Sequence, residues 1–293
     1  MFHARALRPA DRTQLPRDVS RKCRGARRHA MGEIRIGCSG FSYDDWIGPF
    51  YPEGTEKRDF LEYYASRFDT VEINVTYYRI PHPRMVQGWV DRTPEGFLFA
   101  VKANKQMTHE ADDPKEAVAP VREYLDALGP MVDAGRLGCV LLQFPWSFRP
   151  THQARDILEA LIEALEPLPL VCEFRHAEWV RGTVKRWLSN RDVGYCCVDQ
   201  PDIDSLMPRE SVVTASTGYI RFHGRNKEKW FQHDEAWERY DYRYSEQELA
   251  EWVPRARELA QECERLLVYF NNHRSGQAPE NAEVFRELLA EME

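Results

Sequence analysis

From residue 34 onward the chain alternates short β-branched or aromatic runs with longer amphipathic ones, and it does so eight times. The short runs are residues 34–38, 70–74, 97–102, 137–143, 169–175, 193–199, 218–223 and 266–271. Strand-length apolar runs separated by helix-length amphipathic ones are the signature of βα units, and eight such units in one chain close naturally into a barrel. A doubly wound open sheet usually carries fewer strands and a Gly-rich phosphate loop. Neither G-x-G-x-x-G nor G-x-x-x-x-G-K occurs here, so the sequence points to no nucleotide cofactor. The expected fold is α/β, a single (β/α)8 TIM barrel over residues 31–293, with long aromatic loops at its C-terminal face. Helix starts support this reading: Asp113-Pro114, Thr151 and the Ser245/Glu248 pair each form a capping pattern, and Pro254 must kink the last of these helices or move its start.

Charge is distributed unevenly. Residues 1–30 hold nine Lys/Arg against two Asp, while the rest carries 31 basic and 45 acidic residues, a net of -14. A body this acidic repels a polyanion, which disfavours wholesale nucleic-acid binding. The basic segment has no apolar period and reads as a disordered extension, or as residues preceding a true start at Met31. Seven cysteines without a C-x-x-C pair, five of them inside strand-like runs, read as reduced buried thiols. No stretch has the length and apolarity of a membrane span, so a cytoplasmic protein is expected.

Active sites of such barrels lie at the C-terminal ends of the strands, and there almost every run ends polar. Side chains i and i+2 share a face. Val71 and Ile73 then meet the helices while Glu72 and Asn74 point inward, and the same parity selects residues on the other strands. An upper ring of Ser39, Asn74, Lys102, Gln143, Arg175, Asp199, His223 and Asn271 is expected above Glu72, Glu173 and Arg221. The formal charge of the two layers together is zero, so a self-satisfied ion-pair network is one reading. Isolated buried ions are costly, however, and a barrel built only for stability would fill these layers with aliphatic residues; a ligand site is the other reading.

The carboxylates and His223 are the ligand types of a divalent-metal isomerase or hydrolase site, but three nearby cations compete for them. Those cations suit a small phosphate- or carboxylate-bearing substrate, with Arg175 and Arg221 as clamps and Glu72 and Glu173 as candidate acid and base. Lys102 among other cations is a candidate amine nucleophile, an ion-paired lysine being the commoner state. Asp199 and His223 complete the catalytic candidates; Ser39, Asn74, Gln143, Asn271, Asn272 and His273 are the remaining candidate contacts. The loop 224–244 interleaves aromatic and charged residues with zero formal charge, which fits a lid better than a nucleic-acid funnel, although a nucleic-acid-processing protein remains an alternative.

Seven blocks carry a resemblance: GCSGFSYDDWIGPFYP (37–52), EINVTYY (72–78), VKANKQMTH (101–109), LLQFPWSF (141–148), EFRHAEW (173–179), YIRFHGR (219–225) and YFNNHRSGQAPENA (269–282). In this order, over nearly all of residues 34–289, they resemble the YecE-like family, domain of unknown function 72. The departures are Trp146, where a second proline is frequent, and Glu178, where a small hydroxyl residue is common. The resemblance implies a TIM barrel. It implies no activity, since the family has no settled substrate, cofactor or mechanism, but its blocks fall on the strand ends selected by parity.

Overall fold

A computed structural model of the protein describes residues 31–235 and 237–291; the basic segment 1–30 lies outside the described residues. Eight parallel strands form one sheet: β1 (Glu33–Cys38), β2 (Thr70–Ile73), β3 (Leu98–Lys102), β4 (Leu137–Gln143), β5 (Leu170–Glu173), β6 (Gly194–Asp199), β7 (Thr217–Phe222) and β8 (Arg265–Phe270). Their order, β1-β8-β7-β6-β5-β4-β3-β2, is that of a barrel in which each strand neighbours the next in sequence. All eight expected strands are present, and the fold is TIM-barrel-like.

The ring closes unequally. β1 pairs with β8 along its whole length, but meets β2 only at a bridge between Ser39 and Glu72. The Tyr64 hydroxyl fills the gap: it accepts from Cys38 N at 2.7 Å and donates to Thr70 O at 3.0 Å, satisfying backbone groups that a ladder would otherwise pair. Gly37 makes this possible, since a Cβ there would stand 2.2 Å from Thr70 O.

The capping patterns behave as expected. Asp113, Thr151 and Ser245 accept from the backbone N–H of Glu116, Ala154 and Glu248, and the Ser245/Glu248 pair forms a complete capping box. Pro254 moves a helix start: one helix ends at Ala250 and the next, Val253–Glu262, carries the proline in its first turn. Cys38, Cys139, Cys172, Cys196, Cys197 and Cys263 are free and buried. Among the described residues no helix is long and apolar enough to cross a membrane.

Candidate functional site at the barrel mouth

The upper barrel interior is a buried ion network. Arg221 on β7 spans two carboxylates, placing one guanidinium nitrogen 2.7 Å from Glu72 Oε1 and the other 2.5 Å from Glu173 Oε2. Glu72 also accepts from the Tyr219 hydroxyl at 2.7 Å and from Asn74 Nδ2 at 3.0 Å. The second Glu173 oxygen lies 2.5 Å from Arg175 Nε, too poorly angled for a hydrogen bond, and 3.3 Å from His223 Nε2. Burial alone would raise the Glu173 pKa, but the Arg175 and Arg221 charges outweigh it and hold the carboxyl well below its usual range.

His223 is neutral: burial first, then the Arg175 charge, lower its pKa to about 3, with Glu173 opposing. Asn271 Nδ2, a donor, lies 3.1 Å from His223 Nδ1, so as the side-chain amide is oriented the imidazole proton resides on Nε2, facing Glu173. Both Glu72 oxygens and one Glu173 oxygen therefore accept from Arg221, Tyr219 or Asn74, while the second Glu173 oxygen faces Arg175 and His223 without a hydrogen bond. Among the described residues no group of three or more His, Cys, Asp or Glu side chains is placed to hold a metal ion. This donor set does not fit a divalent cation.

Above the network opens a cavity of about 620 Å³. Lys102, Arg175 and Arg221 form its floor with Asn74, Gln143, Asn271 and His273, and Tyr240 of the loop 224–244 also lines it. Glu72, Glu173, His223 and Ser39 do not line it: the cations face the cavity and the carboxylates lie beneath. Ser39 is buried at the β1–β2 bridge, its hydroxyl without a partner in the structure.

Lys102 departs from the ion-paired state. Among the described residues no carboxylate pairs with it; its Nζ rests 4.1 Å from the Tyr77 ring centroid. Burial, then the Arg221 charge, lower its pKa to about 7, with Glu173 opposing and Arg175 adding to the depression. Burial also disfavours ionisation of Tyr240, but Arg175, Arg239 and Arg221 reverse the balance, leaving the phenol below its ordinary value.

Two expected members stand elsewhere. Asp199 points out of the barrel, where it accepts from Arg225 at 2.8 Å, the Tyr244 hydroxyl at 2.7 Å and Trp252 Nε1 at 2.7 Å. On β6 it is Cys196 that faces inward, 3.8 Å from Glu173 Oε2. Asn272 also faces away, donating to Tyr242 O and to Asn281 Oδ1. Both residues anchor the 224–244 loop rather than line the cavity. His273 does line it, stacked on Tyr43 at 4.8 Å between centroids.

Residues 35–293 match the model of the family described as Protein of unknown function DUF72. The chain belongs to the DUF72 family. Its relatives include the UPF0759 protein YunF of Bacillus subtilis, 33% identical over 272 residues, 87% of this chain and 94% of that one. UPF0759 protein YecE of Escherichia coli is 30% identical over 194 residues, 56% of this chain and 66% of its own length. Among solved structures, a DUF72 family protein from Thermotoga maritima superposes with a TM-score of 0.80 at 38% identity, covering 88% of this chain and 99% of that one. SacUVDE, at a TM-score of 0.52 and 12% identity, shares the fold alone.

In this DUF72 barrel, sequence parity missed the contribution of Tyr240 and the apolar side of the cavity, formed by residues such as Tyr77, Tyr78, Met85 and Trp89. No strand carries them. Tyr77 and Tyr78 belong to a four-residue helix, Val75–Tyr78, directly after Asn74, and Met85 and Trp89 to the helix Pro83–Asp91. The family block EINVTYY was the available signal, because it runs past the strand end into that helix.

Proposed function

We propose that the protein is an enzyme acting on a small anionic substrate, phosphate- or carboxylate-bearing, bound on the floor formed by Lys102 and Arg175. The carrying observation is the position of Asp199: with that carboxylate outside the ring and held by Arg225, Lys102, Arg175 and Arg221 face only Glu72 and Glu173. One positive charge is left over when Lys102 is protonated, and it lies at the cavity. An anion there completes the charge balance.

Glu72 and Glu173 are assigned to positioning, since both lie beneath the floor and are held there by Arg221. Proton transfer falls to Lys102, whose pKa burial and neighbouring guanidinium groups lower, and to Tyr240, whose pKa the guanidinium groups lower against burial. Arg221 ties the floor to the carboxylates beneath it, and Gln143, Asn271 and His273 supply hydrogen-bonding groups to the cavity.

Thermal denaturation of the full chain with inorganic phosphate, small carboxylates, divalent metals and oligonucleotides tests this reading. An anion at a hundredfold its dissociation constant adds about 2.7 kcal/mol, a rise of roughly 5–10 °C for a domain near this size. The expected result is such a rise in the wild type and none in Arg175→Ala. A melt shifted only by metal or oligonucleotide, or an equal rise in the variant, contradicts it.

A further inference from the structure

The cavity has two unlike halves. Opposite the cationic floor stands a wall built by the helices Val75–Tyr78 and Pro83–Asp91. Of the seven large hydrophobic side chains exposed among the described residues, three belong to this wall: Tyr78 at 73%, Val75 at 45% and Met85 at 42%. Folding does not require them there, since none is packed into the core, and apolar side chains left clustered in a concave wall mark a binding surface.

Wall and floor meet at one residue. The face of the Tyr77 ring carries the Lys102 amine at 4.1 Å, and Tyr78 packs edge-on against Tyr77 with centroids 5.0 Å apart. A group seated on Lys102 thus lies within about one ring's width of the aromatic wall. The cavity, about 620 Å³, is also far larger than a bare phosphate or acetate fills.

We propose that the ligand is an aryl or heteroaryl anion, with its phosphate or carboxylate on Lys102 and Arg175 and its flat ring against Tyr77, Tyr78 and Met85. This rests on the anion-site reading above and adds the ring. The anionic group supplies the charge that the floor lacks. The ring covers the apolar surface that water now meets, and aromatic contacts of this kind commonly add up to about tenfold in affinity.

Titration calorimetry of the full chain with inorganic phosphate and with phenyl phosphate separates the two halves, and Tyr78→Ser is the informative variant because the side chain is exposed and its loss leaves the core intact. Phenyl phosphate is expected to bind the wild type about tenfold more tightly than inorganic phosphate, a difference of about 1.4 kcal/mol. Tyr78→Ser should shrink that ratio to about threefold or less while changing phosphate affinity by less than about twofold. Equal affinity for the two probes overturns the ring assignment and leaves the anion site standing. A variant that keeps the tenfold ratio, or that weakens both probes alike, also overturns it. If neither probe binds the wild type, the anion site itself fails and this inference fails with it.

Discussion

Replacing Arg221 with methionine is expected to cost about 3–5 kcal/mol of stability and to lower the melting temperature by roughly 6–20 °C. Methionine keeps much of the volume but leaves Glu72 without its arginine and Glu173 with only Arg175 and His223 beside it. Removing one partner of a buried ion network strands the others in a medium that cannot solvate them. The sign of the pH dependence follows from Glu173. Its folded-state pKa lies well below the ordinary 4.5, so its stabilising contribution is present above that value and is lost as pH falls through the folded value. The gap between wild type and variant should therefore be widest near neutrality and narrow in acid. Urea denaturation at several pH values measures it, and a variant as stable as wild type at pH 7 contradicts the assignment of Arg221 as the keystone of this network.

Lys102→Met should act in the opposite direction on stability while removing ligand binding. With a folded pKa of about 7 against an ordinary 10.5, Lys102 weakens the folded state at and below neutral pH, because the unfolded chain holds that proton more readily. That penalty fades as pH rises from about 7 toward 10, where the unfolded chain loses the proton as well. Methionine removes the buried charge at similar length and is expected to stabilise the ligand-free protein by about 1–4 kcal/mol at pH 7, less the contact with Tyr77. A gain in stability paired with loss of function is the mark of a residue kept for chemistry. If Lys102→Met melts lower than wild type at pH 7, the lysine is structural.

Parity was readable wherever a strand buries one polar and one apolar face. Glu72, Lys102, Glu173, Arg221 and His223 follow it, since Val71, Ile73, Val101, Cys172, Ile220 and Phe222 are apolar and fix which side meets the helices. On β6 the rule failed because both faces are buried and neither alternates: Tyr195, Cys197 and Asp199 lie on one side, Cys196 and Val198 on the other. Parity places Asp199 inward together with Cys197, whereas both face outward in the structure. The residues that satisfy it, Arg225, Tyr244 and Trp252, come from segments 26–53 positions downstream, which no local pattern displays. Adjacent asparagines separate in the same way, Asn271 to the cavity and Asn272 to the loop anchor. Tyr240 lies in a loop without a period, so its approach to Arg175 emerges only from three-dimensional packing.

Sulfate affinity as a function of pH tests the anion site on Lys102 and Arg175 most directly, because sulfate keeps its charge across the range. Below about pH 7 the lysine is protonated and affinity should be flat. Above it, binding must restore the proton, so affinity should fall by up to about tenfold per pH unit until the pKa of the bound state is reached. Sulfate binding that is unchanged between pH 6 and 9, or that persists unaltered in Lys102→Met, contradicts the account.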